Sequence, residues 1–578
     1  MCAMPHKWLA ACSLVIAGAT LVAPAAAEVI VSGVDEALER NIRAFIGLDD
    51  EDCDAEDWLV RRRSRTLRDE VRKALEPFGF YEPTVSTDLS FGEDCWQATL
   101  SIDPGEPVRY RNVDIRISGP AADDPSFADL PGRELLRTGN VLRHADYDRL
   151  KNRLQTLAAD HGYIEAEFEA SRLDGWPAEG VADVTLLFAS GPRYDFGEIM
   201  IDQSFVEPEI VRGFIDLQPG TPYDAAALTQ AYSDLTQSLY FGAVEVTPEI
   251  DSAADGAIPI KISVQPGTRI EYTVGVGYST DMGMRFRAGY RNNRINTRGH
   301  RLIADANLAQ TVQGLSAEYR IPLRDPRREW FSITGAVYVE DVDTFENDTQ
   351  RLGVRWTRII GSDWLRTVSL DVSNESFVVG EDVDTTRLIV PGISFDRKVA
   401  DRELFPNRGR RIGVQLRGTD EAIGSSTSYL QLIARARWIR SFGEDSRILA
   451  RLSLGATASK DFNRLPPSVR FFAGGDESIR GYDFDSLGPR DAEGNVIGGA
   501  NLLVGSIEYE RLIRGDFYGA LFVDAGNAFD GTDFEPETGV GVGVKWRSPV
   551  GLVRLYLGYP LSADERSVRV HLRLGADL

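Results

Sequence analysis

The chain has 578 residues, 43% of them hydrophobic, and a formal net charge of −24. That length exceeds one ordinary compact domain unless much of it closes into a barrel. The acidity excludes a nucleic-acid partner, because phosphate binding needs a basic footprint.

The first residues, MCAMPHKW, carry one cation, Lys7, before the apolar run LAACSLVIAGATLVA and the small residues of APAAAEV. This order reads as a secretory signal peptide, residues 1–27, cut after Ala27. The box-like LAAC at Leu9–Cys12 precedes most of the apolar run, whereas a lipid-attachment cysteine would follow it. Cleavage removes Lys7 and no acid, leaving 63 basic against 88 acidic side chains, net −25. Cys2 and Cys12 leave with the signal; Cys53 and Cys95 remain and predict one disulfide in an oxidising compartment, closing a loop of 95 − 53 = 42 residues. Two free thiols are the alternative. No other segment reaches the ~18 consecutive apolar residues of a membrane helix.

Three junctions then repeat: DPGEPVRYRNVDI at 103–115, ASGPRYDFGEIMI at 189–201 and VQPGTRIEYTVGV at 264–276. Each is a Pro/Gly turn opening a strand. Ahead of each lies an amphipathic helix ending in an aromatic–glycine break, with apolar faces Val71/Leu75/Phe78, Leu150/Leu154/Leu157/Ala158 and Leu228/Tyr232/Leu235/Leu239. Two strand-like runs follow every helix. The spacing predicts three strand–helix–helix–strand–strand units, 28–104, 105–191 and 192–266.

From residue 267 to 578 helical spacing gives way to alternation. VRVHLRL sets Val568, Val570, Leu572 and Leu574 against Arg569, His571 and Arg573, and LVRLYLGY and ILARLSLGA behave alike. Sixteen candidate strands start between Thr268 and Arg566. Their even number and lengths of about 9–11 residues suit a membrane barrel with apolar residues toward lipid and arginines toward a wet lumen. The predicted fold class is therefore three α+β repeats followed by a C-terminal 16-stranded antiparallel transmembrane β-barrel.

The sequence holds no catalytic or metal-binding constellation: its histidines are far apart, and HExxH, CxxC and GxSxG do not occur. GVGVGV at Gly539–Val544 reads as a strand with one face of small residues, and Asp49 and Asp50 as a solvated acidic loop. No enzyme activity and no cofactor are expected.

The longest barrel connection, 460–500, contains RFFAGGDESIRGYDFDSLGPRD. Its Phe471, Phe472, Ile479, Tyr482, Phe484 and Leu487 need a place to bury, and the lumen is the nearest. Arg480 then needs an anion, since a buried unpaired charge is costly. In FVDAGN, Asp524 shares a strand face with Phe522 and with Gly526, which leaves room for close approach. The predicted loop–barrel lock is Arg480 on Asp524.

At these residues the chain resembles the outer-membrane barrel-assembly and two-partner secretion superfamily (the BamA, TamA and FhaC types). Ile479, Arg480, Gly481 and Tyr482 match its (V/I)RG(Y/F) loop, and Phe522, Asp524 and Gly526 match its F-x-D-x-G strand. Residues 539–561 resemble its penultimate-strand signature. The resemblance implies that the three repeats are periplasmic POTRA domains and that the barrel lies in the outer membrane of a Gram-negative cell. It also implies a seam between first and last barrel strands, here Gly275 and Gly277 against Val570 and Leu572, that opens toward lipid. Three repeats are most similar to the TamA branch. That branch implies insertion of autotransporter-like barrels, with a TamB-like inner-membrane-anchored partner, unfolded outer-membrane proteins as substrates and contact with outer-membrane lipid. A two-partner-secretion pore exporting a β-helical protein and a passive porin with periplasmic domains are the rival readings. The chain ends in Leu578 where many outer-membrane proteins end in phenylalanine.

Overall fold

The structure, a computed structural model, describes residues 28–92, 95–130, 132–443, 445–548, 551–563 and 567–574. The signal-peptide reading and the terminal Leu578 lie outside these residues.

Three small sheets come first. β1 (Glu28–Ser32), β2 (Thr84–Phe91) and β3 (Trp96–Asp103) form a sheet of order β1-β3-β2, crossed by α1 (Glu36–Phe45), α2 (Asp57–Ser64) and α3 (Leu67–Leu75). The Asp35 side chain starts α1 by accepting the Leu38 N–H at 2.9 Å, satisfying one of the amides that a helix start leaves without a partner. Central β3 turns Trp96, Ala98, Leu100 and Ile102 onto Ile42, Val71 and Leu75 of the helices, all buried. Each such large side chain contributes about 1.5–3 kcal/mol by leaving water. The second sheet, order β4-β6-β5, has β4 (Arg109–Ser118), β5 (Glu167–Trp176) and β6 (Val181–Ala189), with α4 (Pro125–Ala128) and α5 (His144–Asp160). Leu150, Leu154, Leu157 and Ala158 are buried along α5 as their spacing predicts. The third sheet, order β7-β9-β8, has β7 (Asp195–Asp202), β8 (Phe241–Pro248) and β9 (Ala257–Pro266), with α6 (Pro208–Arg212) and α7 (Ala225–Gln237). On α7 the expected face shifts. Leu228, Ala231 and Leu235 are buried, Tyr232 is 47% exposed, and Leu239 lies beyond the helix end and is also exposed. Small Ala231 permits the close approach that bulky Tyr232 would block. The first unit carries three helices instead of the expected two.

Cys53 and Cys95 are joined in a disulfide across 42 residues. By loop-closure entropy such a link is worth about 4 kcal/mol. Reduction is therefore expected to raise the rate of proteolysis within the first domain and leave the barrel's cleavage pattern unchanged.

The barrel follows. Its strands are β10 (Ile270–Ser279), β11 (Gly283–Asn292), β12 (Arg301–Ala309), β13 (Val312–Pro322), β14 (Glu329–Val342), β15 (Phe345–Ile360), β16 (Trp364–Val379) and β17 (Asp382–Ala400). They continue with β18 (Arg408–Thr419), β19 (Tyr429–Phe442), β20 (Ser446–Ser459), β21 (Asn501–Arg514), β22 (Phe517–Phe529), β23 (Glu537–Ser548), β24 (Gly551–Pro560) and β25 (Arg569–Leu574). All sixteen form one antiparallel sheet in sequential order, from β10 to β25. The alternation works as read: Leu555 and Leu557 face outward and are exposed, while Arg554 and Tyr556, which alternate with them, are buried. An apolar outer face suits lipid, and the continuous ladder pairs the backbone groups that lipid cannot.

The chain divides into two compact units. One runs through the first two domains to Gly197 and adds residues 219–226 and 250–258, the other comprises the remainder of the third domain with the barrel. Within the second unit, Arg327 in the β13–β14 turn pairs with Asp216 at 3.2 Å and with Asp234 of α7, and the Tyr240 hydroxyl donates to Gly299 O at 2.6 Å.

Candidate functional site

The connection between β20 and β21 folds inward on itself, with bridges Phe471–Gly499, Ala473–Leu487 and Arg490–Val496. Of its expected lumenal side chains, Phe471, Ile479, Tyr482 and Leu487 are buried, while Phe472 and Phe484 are half-buried. Phe471 lies where a Cβ on Gly455 of β20 would stand, 2.3 Å from its ring. Ile479 packs with Ala473, Tyr482, Leu487 and Val504.

Arg480 is 3% exposed and Asp524 is fully buried. The guanidinium meets both carboxylate oxygens, Nε to Oδ2 at 2.8 Å and Nη2 to Oδ1 at 2.9 Å, and the Arg480 backbone N–H adds a third bond at 3.0 Å. Such forked, charge-assisted pairs are the strong kind. A second acid, Glu508 of β21, takes Nη1 at 2.5 Å. The same guanidinium lies 3.5 Å from the centroid of Phe522 and 4.6 Å from that of Tyr556. It is therefore held by two anions and two ring faces, each of which favours the cation. Its neighbours continue the charge pattern: Lys545 pairs with Glu508 at 2.7 Å and with Glu510, and Glu510 with Arg447. The Tyr556 hydroxyl donates to Glu508 at 2.9 Å.

The glycines of β23 and β24 make this nesting sterically possible. A Cβ on Gly539 would fall 1.9 Å from Arg480 O, and one on Gly558 2.7 Å from Gly481 N. On Gly541 it would meet the Phe522 ring at 2.5 Å, and on Gly543 the Tyr556 ring at 2.2 Å. The GVGVGV face expected simply to be small is thus the floor on which the loop and two rings rest. Gly481 has φ +103° and is itself packed against Tyr559 and Pro560, so two constraints require glycine there. Gly526 does leave room for a close approach, but by β21: a Cβ there would stand 2.1 Å from Leu503 O.

Tyr482 donates to Glu537 at 2.7 Å, and burial, then that hydrogen bond, push its hydroxyl up to about 12. Tyr482→Phe should cost about 1.5–3 kcal/mol, the usual value of a hydrogen bond to a charged group. The urea midpoint of the lipid-embedded barrel measures it.

Several partners escape sequence reading. Arg470, the first residue of the quoted stretch, is caged by carbonyls of Leu465, Asn463 and Ile497 and by Asp382 at 3.2 Å. Glu508, Glu510 and Lys545 carry only the signal of alternation, which puts them on the inner face without naming a partner. His571 Nε2 accepts the Gly481 N–H at 2.9 Å.

The four residues expected at the seam sit in two separate ladders. Gly275 and Gly277 stand opposite Arg287 and Arg285 of β11, and Val570 and Leu572 opposite Leu557 and Leu555 of β24. Among the described residues β10 and β25 are the two ends of the sheet and share no ladder.

A sixteen-stranded outward-apolar barrel behind three small α/β domains, with a strand connection locked into its lumen, defines the class of outer-membrane barrels with periplasmic domains. Within that class, residues 294–577 match the Omp85 superfamily domain, and residues 28–104 match the POTRA domain TamA domain 1. It is similar to the outer membrane protein assembly factor BamA of Nitratidesulfovibrio vulgaris, 23% identical over 446 residues, covering 73% of this chain and 56% of that one. BamA of Neisseria meningitidis is 21% identical, covering 90% of this chain and 74% of the relative. The chain thus spans little more than half of the first relative's length. The crystal structure of BamA from Haemophilus ducreyi lacking POTRA domains 1–3 shares the fold, with TM-score 0.68 and 16% identity over 81% of this chain and 99% of that one.

Proposed function

We propose that this protein is a TamA-type assembly factor that inserts autotransporter-like β-barrel proteins into the outer membrane. Its domains in this reading are POTRA units 28–104, 105–191 and 192–266 and a barrel from 267 to 578. One observation carries the reading: among the described residues the barrel sheet ends on two strands without a shared ladder. The first of them, β10, leaves Tyr272, Val274 and Val276 at least 68% exposed. An unpaired edge in lipid is a template for an incoming strand. The POTRA units bind nascent chains and a TamB-like partner anchored in the inner membrane, and local thinning of the lipid beside the seam eases insertion. The TamA-type match of the first domain supports this branch over its relatives.

The purified chain in liposomes should accelerate the folding of an added unfolded autotransporter β-domain, read as heat-modifiable migration on gels. Folding no faster than in empty liposomes would overturn the proposal. A lumenal cavity of about 540 Å³, lined by Arg411, Arg435, Arg437 and Arg451, favours the secretion-pore alternative. That alternative predicts steady ion conductance and no acceleration.

A further inference from the structure

The loop reaches both ends of the barrel sheet at once. On the last strand, His571 Nδ1 lies 2.5 Å from Asp476 Oδ1, Arg573 pairs with Glu477, and Arg569 pairs with Asp483. On the first hairpin, Asp281 in the β10–β11 turn accepts the Asp476 backbone N–H at 2.8 Å. Ser279, the last residue of β10, donates to Asp476 Oδ2 at 3.4 Å, and its hydroxyl also accepts the Asp281 N–H at 3.2 Å. Asp476 therefore touches β25 through one carboxylate oxygen, and β10 and its turn through the other oxygen and its backbone.

Geometry also sets the proton on His571. Its Nε2 accepts the Gly481 N–H, so that nitrogen is bare and Nδ1 donates to Asp476. One neutral imidazole thus links the last strand to Asp476 and to the Ile479–Tyr482 segment. Asp281 and Asp476 are close acids in a site sheltered from water, and burial, then the Asp476 charge, push the Asp281 carboxyl up to about 6. The arrangement is costly for Asp281 as an anion, which argues for a role beyond stability.

We infer that Asp281, Asp476 and His571 form a clasp that positions the last barrel strand against the first hairpin, which share no backbone ladder among the described residues. Releasing it opens the seam while Arg480 remains on Asp524. The clasp's use in strand insertion rests on the assembly reading above, but its geometry does not.

The test uses full-length protein in lipid nanodiscs, spin-labelled at Val274 and Val568, which are exposed on the two sides of the seam. Each label sits on an introduced cysteine; Cys53 and Cys95 are bonded to each other and do not take label, and Cys2 and Cys12 are replaced by serine. Electron–electron distances should be narrow in the parent. Asp476→Ala and His571→Phe should each widen them by at least about 5 Å, one strand spacing. His571→Asn, whose amide nitrogen replaces Nδ1, should restore the narrow peak, whereas a space-filling role would be met by Phe. Heat-modifiable migration confirms folding of each variant, and Asp281→Ala reads the clasp from the other side if His571→Phe does not fold. Parent-like distances in Asp476→Ala and Asp281→Ala, or rescue by Phe as complete as by Asn, would overturn the clasp. Insertion of a β-domain is measured on the same samples. A widened seam with unaltered insertion sustains the clasp and overturns the assembly reading.

Discussion

Arg480→Ala should release the loop from the lumen and abolish barrel assembly in cells. The side chain is the cation shared by Asp524 and Glu508, both buried. Removing one partner of such a buried pair costs up to about 3–5 kcal/mol, because Asp524 then keeps only Arg451, at 3.6 Å, and Glu508 keeps only Lys545, at 2.7 Å, of their cations. The barrel has a cheaper relief than unfolding: the loop leaves and water enters to solvate the acids. The first sign should therefore be proteolysis within 470–491, ahead of any loss of heat-modifiable migration. Arg480→Lys should fall in between, since one ammonium cannot fork across both oxygens of Asp524 and still reach Glu508. Asp524→Ala should resemble Arg480→Ala. The double variant should be no worse than the worse single one, because the two residues act as one unit. Strictly additive losses would contradict the contact's role.

Gly539→Ala and Gly558→Ala should displace the same loop from below. Both new methyl groups would meet loop backbone inside 3.0 Å, at Arg480 O and Gly481 N. Arg480 is tied to Asp524 by its backbone N–H and by two guanidinium bonds, so its backbone cannot swing aside as a flexible side chain would. Overpacking of this kind costs about 1–3 kcal/mol, enough to raise the loop-out population by about 5–150-fold. Ion conductance across planar bilayers reads that population directly. Gly505→Ala on β21 is the control, since nothing lies within 4 Å of a Cβ there. Equal conductance in all three would show that the glycines do not seat the loop.

Much of this architecture is legible in the sequence, and the exceptions have physical reasons. Period-2 alternation survives burial from either side, so VRVHLRL and LVRLYLGY reveal strand, face and membrane together. The Arg480–Asp524 contact is legible because a buried cation demands an anion and FVDAGN places one on an inward face. The second anion is not, because Glu508 looks like any inward acid until β21 and β22 are in register. Ala231 shows the limit of apolar spacing: a helix buries what fits beneath it, and Tyr232 did not. The partners of His571 come from the loop and from the β10–β11 turn 290 residues earlier, which no local pattern joins.

The central claim, that substrates enter at the β10–β25 seam, is tested most directly by closing it. Single cysteines on the two strands are bridged by a short bis-maleimide, and the same protein carrying two mono-maleimides serves as reference. In liposomes the bridged barrel should no longer accelerate folding of an added β-domain, while the mono-maleimide protein should act as the parent does. Equal acceleration by both would contradict the account.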